Sequence, residues 1–96
     1  MSEIIVQKFG GTSVGSVDRI DAVAEIIKKA SKRNKIIVVV SAMSGETNKL
    51  VQLANHFGKN LDKREFDALV STGETISSAL LAMALHSKGV SAKSYS

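Results

Sequence analysis

Two runs of β-branched residues set the frame of this chain: Ile4-Ile5-Val6 and Ile36-Ile37-Val38-Val39-Val40. Five β-branched residues in succession crowd a helix and suit a buried strand. Between the runs, Val17, Ile20, Val23, Ala24, Ile27 and Ala30 recur at helical spacing. The spacing therefore predicts a strand over 3–8, a helix to about Arg33 and a strand over 36–40. That is a βαβ unit with parallel strands and a right-handed crossover. The continuous apolar runs suit strands covered on both faces.

The first strand leads into Lys8-Phe9-Gly10-Gly11-Thr12-Ser13-Val14-Gly15. Adjacent glycines let a backbone approach a ligand closely. Lys8 adds a positive charge, Thr12 and Ser13 add hydroxyls, and the following helix presents unpaired N–H groups. Together these are expected to make a phosphate site, the alternative being a glycine turn that joins strand to helix without a ligand. Ser16 or Ser13 caps the helix. The P-loop pattern is not met, because Ser16 and Val17 follow Gly15 where Lys and Ser/Thr belong. The dinucleotide pattern fails as well, since no glycine stands two after Gly10 or Gly11. The second strand ends at Ser41-Ala42-Met43-Ser44-Gly45, on the same sheet edge as the glycine loop, where open α/β sheets bind ligands.

A second helix is expected from Glu46 or Thr47, with Leu50, Leu53, Ala54 and Phe57 as its stripe and Gly58 as its stop. Asp62-Lys63-Arg64-Glu65 has the form of a capping box. A third helical segment carries Phe66, Leu69 and Val70. Ser71-Thr72-Gly73-Glu74 interrupts it, and an almost wholly apolar helix follows over Ile76–Leu85, to be buried between layers and ended by Gly89. Val90–Tyr95 reads as the opening of a third strand. A chain that stops there is expected to be a piece of something longer.

Composition narrows the classes. Ninety-six residues suffice for one small domain, and no cysteine is present for disulfides or thiolate metal sites. The formal charge is +4, but Lys28, Lys29, Lys32, Arg33 and Lys35 cluster where a helix C-terminus attracts cations. With few interleaved aromatics, nucleic acid is not an expected partner. No unbroken apolar run approaches the ~20 residues of a membrane span, and no signal-peptide pattern opens the chain. The expectation is a soluble, cytoplasmic protein without a membrane partner.

Three stretches carry a resemblance: Lys8 to Gly15; Val40 to Gly45, continued by Thr47-Asn48-Lys49-Leu50; and Thr72-Gly73-Glu74, with Ser77 and Leu80 behind it. With them the chain resembles the aspartokinases of the amino acid kinase family. The resemblance implies an α/β fold, a three-layer αβα arrangement with a mainly parallel sheet. Residues 1–96 would be the N-terminal portion of the catalytic domain, without the regulatory ACT domains. The implied reaction moves the ATP γ-phosphoryl group to the side-chain carboxylate of L-aspartate. It is the first step of lysine, threonine and methionine biosynthesis.

By the same resemblance, Lys8 is catalytic and lies beside the ATP phosphates. Gly10, Gly11, Thr12 and Ser13 bind those phosphates, while Ser41, Thr47 and Glu74 meet the aspartate. Mg²⁺ is carried mainly by the nucleotide, and no protein metal site is implied. Each substrate residue has a structural alternative: a self-satisfied strand-end hydroxyl for Ser41, a helix N-cap for Thr47, a lysine ion pair for Glu74. The expected partners are ATP, L-aspartate, and either further copies of the chain or the remainder of a longer protein. Alone, the chain is expected to be inactive and weakly folded. Alternatives are a kinase of glutamate or N-acetylglutamate, and a non-catalytic phosphate-binding or association module.

Overall fold

A computed structural model describes residues 3–95. The elements are β1 (Ile4–Phe9), α1 (Val17–Ser31), β2 (Lys35–Val40), α2 (Glu46–Asn55) and α3 (Lys63–Ser87). β1 and β2 pair in parallel, from Ile4 opposite Lys35 to Phe9 opposite Val40. The ladder continues at both ends, where Lys35 N donates to Glu3 O at 3.0 Å and Ser41 N donates to Phe9 O at 3.1 Å. This is part of an αβα arrangement: a parallel pair of strands with a helical layer on one face.

The period-2 alternation of a strand decides what each face carries. Ile5, Phe9, Ile36, Val38 and Val40 turn towards the helices, where Val14, Ile20, Val23, Ala24, Ile27, Leu81 and Leu85 are buried. Ile4, Val6, Ile37 and Val39 turn the other way and remain 45–66% exposed. The runs were expected to be covered on both faces; here one face is covered.

Ser16 settles the capping alternatives. Its side chain accepts from Arg19 N at 3.3 Å and starts α1. Asp62 likewise accepts from Glu65 N at 3.0 Å and starts α3. Gly58 and Gly89 take positive φ where the sequence expects helices to stop. Lys88 then clasps the end of α3 to α1, with Nζ 3.1 Å from Asp21 and 3.2 Å from Glu25. The hydrogen bonds to Asp21 and then Glu25 hold the Lys88 pKa above its ordinary value.

Three expectations are corrected. The polar stretch 71–74 does not interrupt a helix, because α3 runs unbroken for 25 residues. Its hydroxyls stay inside the helix: Ser71 donates to Ala68 O, Thr72 to Leu69 O, Thr75 to Ser71 O, Ser77 to Gly73 O and Ser78 to Glu74 O. Groups that would have sought other backbone partners are thus satisfied locally. Second, the segment 76–85 is not buried all round. Ser77 and Leu81 are buried, as is Leu85 at its end, whereas Ile76 and Met83 are 46% and 63% exposed. Third, residues 90–95 form no strand. They follow α3 beside β2 and line, with α3, a groove of about 550 Å³ along the outer edge of β2.

The unbroken α3 also has the length and mean hydropathy, 1.4 over 18 residues, that a membrane span would need. Its buried stripe of Gly73, Ser77, Leu81 and Leu85 packs on α1, α2 and β2, while the rest of its apolar surface is open. The long helix stretches the molecule to 52 × 26 × 17 Å. Its radius of gyration is 15.3 Å, against roughly 12–13 Å for a rounded domain of this length.

Candidate active site

The site is built at the carboxyl edge of β1 and β2. Lys8 is the penultimate residue of β1, lies opposite Val39 and is exposed on the uncovered face. The loop after Phe9 folds on itself, with Val14 N donating to Gly10 O at 3.2 Å and Gly15 N to Thr12 O at 3.4 Å. Val14 pins the loop, since its side chain is fully buried in the core. Gly10 is exposed, with open space where a side chain would stand, whereas a Cβ on Gly11 would be 3.2 Å from Ala42 O. Gly11 therefore lets the loop lie against the end of β2, a contact tighter than most side chains accept.

The second wall runs from Ser41 to Thr47. Ser41 is half-buried and joined through its N–H to Phe9 O, and Ala42 is buried. Gly45 has φ +84° and stands at the N-cap of α2 without a side-chain bond. That left-handed position admits glycine readily and most other residues poorly. It turns the chain so that Glu46 and Thr47 begin α2. Thr47 is therefore inside the helix and exposed rather than its cap.

α3 supplies the third wall. Gly73 is buried where α3 meets α2 and Ala42, and Glu74 is the next residue, exposed. Among the described residues, the side chains of Lys8, Thr12, Ser13, Ser41, Thr47 and Glu74 make no hydrogen bond or ion pair within the chain. Neither the self-satisfied Ser41 hydroxyl nor the Glu74–lysine pair is formed. The three stretches picked out in sequence thus meet through backbone and small side chains, with their polar groups unengaged.

Two residues of this edge were not singled out by sequence reasoning. Ala42 is the point where the loop and α3 both touch the segment that follows β2, and Ser44 packs on Gly15, whose Cβ would be 3.4 Å from Ser44 Cβ. Neither type carries a chemical signal, and contacts between residues about 30 apart leave no periodicity to read.

The family model of the amino acid kinase family matches residues 3–96. This chain belongs to the amino acid kinase family.

Aspartate kinase Ask_LysC of Stutzerimonas stutzeri is 58% identical over 93 residues, which cover 96% of this chain and 23% of that protein. The aspartokinase of Geobacillus stearothermophilus is 56% identical over 92 residues, with 95% and 23% covered. This kinase-family chain thus spans about a quarter of the length of the curated relatives it matches. Among solved structures, aspartate kinase from Synechocystis superposes with a TM-score of 0.86 at 52% identity, covering 91% of this chain and 15% of that one. E. coli aspartokinase III in complex with aspartate and ADP superposes with a TM-score of 0.76 at 29% identity, covering 94% and 30%.

Proposed function

We propose that this chain forms the phosphate- and amino-acid-binding edge of an aspartate kinase. The parent reaction transfers the γ-phosphoryl group of ATP to the side-chain carboxylate of L-aspartate, giving 4-phospho-L-aspartate. The observation that carries the reading is the meeting of the glycine loop, the segment that ends β2 and the Gly73–Glu74 stretch of α3 at one sheet edge. Names of the similar proteins support it, and one of those structures holds aspartate and ADP.

The chemistry asks little of a base. An aspartate carboxylate, with an ordinary pKa of about 3.9, is already ionised at neutral pH. Catalysis is then alignment and stabilisation of charge on the transferring oxygens. Lys8 supplies a mobile cation there, and the Gly10–Ser13 loop supplies backbone and hydroxyl donors. Ser41 and Thr47 donate to the amino acid, and Glu74 faces its ammonium group. The magnesium ion is carried mainly by the nucleotide, as the MgATP substrate.

The test is a chimera in which residues 1–96 replace the matching stretch of a full-length aspartokinase. ADP release that depends on L-aspartate is expected, with glutamate and N-acetylglutamate inactive. Turnover of those acids but not aspartate would overturn the substrate assignment. The isolated chain is expected to release no ADP with any of them.

A further inference from the structure

The closest approach recorded at any glycine in the molecule is at Gly73. A Cβ built there would stand 2.9 Å from Ala42 Cβ, with Leu50 Cδ1 at 3.6 Å and Glu46 Cβ at 3.9 Å. Carbon atoms rest at about 3.5–4.0 Å, so any side chain at 73 forces a displacement of several tenths of an ångström. Ala42 has little freedom to yield. It is buried, and its carbonyl oxygen is 3.2 Å from the Cβ position of Gly11 in the phosphate loop. Gly73 is part of the continuous α3, where the fully buried Ser77 donates to Gly73 O at 3.4 Å, so a shift at 73 is carried by the helix around it. The element left to move is α3, and Glu74 moves with it.

We infer that Gly73 is a positioning residue: its missing side chain lets α3 seat on Ala42 and so fixes Glu74 against the Ser41–Thr47 rim. It touches no substrate and acts through Glu74. The inference rests on the functional reading above and deepens it, by assigning control of the amino-acid site to a helix-to-strand packing distance. Propensity argues the other way. Alanine in place of a mid-helix glycine ordinarily stabilises, so a loss on Gly73→Ala would come from the Ala42 contact.

The contact is symmetrical in chemistry, which gives a decisive test. In the chimera described above, Gly73→Ala is compared with the double variant Ala42→Gly/Gly73→Ala, which moves the methyl group from one partner to the other. KM for L-aspartate, KM for MgATP and the melting temperature are measured for each. Gly73→Ala is expected to raise KM for aspartate about tenfold to a hundredfold. Its KM for MgATP is expected to stay within about twofold, since Lys8 and the glycine loop are not carried on α3. The double variant is expected to bring KM for aspartate back to within about threefold of the parent.

An unchanged KM for aspartate would overturn the inference. So would a parallel rise in both KM values, or a double variant that restores melting but not aspartate binding. Should Gly73→Ala fail to fold, the double variant decides: a soluble enzyme with the parental KM supports the role, and an insoluble one overturns it. A parent chimera without aspartate-dependent turnover fails at an earlier step, and takes down the functional reading together with this inference.

Discussion

The two faces of the β1–β2 sheet are made of nearly the same residues and have opposite fates. One face carries Ile5, Gln7, Phe9, Ile36, Val38 and Val40 under α1 and α3. The other carries Ile4, Val6, Lys8, Ile37 and Val39 in the open. Hydrophobicity alone therefore does not say which face holds the fold together. What decides is whether a helix of matching stripe lies over it. The open face keeps its aliphatic residues and also bears Lys8, the one charged group on β1, at the end where the glycine loop begins.

The sharpest test of this contrast compares Leu81→Ala with Ile37→Ala. Leu81 is 4% exposed in the covered core and Ile37 is 53% exposed on the open face. Leu81→Ala is expected to cost about 3 kcal/mol in denaturant unfolding. Ile37→Ala is expected to cost below about 0.5 kcal/mol, while lowering any self-association seen by sedimentation. Equal losses at both sites would mean that the open face is covered in solution.

Lys8→Ala comes next, and acts on chemistry rather than on folding. Turnover by the chimera should fall about 100-fold or more, near 2.7 kcal/mol of transition-state stabilisation, with the melting temperature unchanged. A fall in stability of the same size would instead make Lys8 part of the fold.

A smaller effect probes a flaw on the covered face. Gln7 Oε1 is buried there without a hydrogen-bond partner. Gln7→Met removes the unsatisfied acceptor at similar volume and is expected to stabilise the chain by about 1 kcal/mol. A loss of stability would show that the amide is used.

The smallest effect is confined to alkaline pH. Because the folded-state pKa of Lys88 is raised above 10.5 by Asp21 and Glu25, the clasp contributes in full below that value. Its contribution is lost as pH rises through the folded pKa. Parent and Lys88→Met should therefore differ in melting temperature at pH 8 and converge as the pH rises through the raised folded-state pKa. A constant gap would assign the clasp to packing.

Much of this was legible in the sequence, for a physical reason. β1, α1, β2 and α2 are each specified locally, by β-branched runs, a helical stripe, and glycines at positions that need positive φ. Asp62 and Ser16 announce their helices by capping chemistry. The candidate site residues were legible by resemblance, and the sheet edge that gathers them followed from a parallel βαβ unit. The continuity of α3 was not legible. Gly73 and the run of serines and threonines have low helix propensity, and only the three-dimensional helix shows their hydroxyls bonded back to carbonyls one turn earlier. Nor was the fate of Val90–Tyr95, since a strand needs a neighbour and its own residues do not name one. The Ala42–Gly73 contact was hidden for the same reason: it joins residues far apart in the chain and consists of an absence of atoms.

The unbroken α3 has a mechanical consequence. It is a rod of ~37 Å at 1.5 Å per residue, and it rests on Ala42 at Gly73, ten residues from one end and fourteen from the other. A rocking of about 6° around that fulcrum would carry Lys63 and Ser87 in opposite directions by about 1.5 Å and 2 Å, by the same rise per residue. The short arm bears α2 and the long arm bears the Lys88 clasp. A seesaw of this kind turns a sub-ångström change at the pivot into displacements large enough for a neighbouring surface to register.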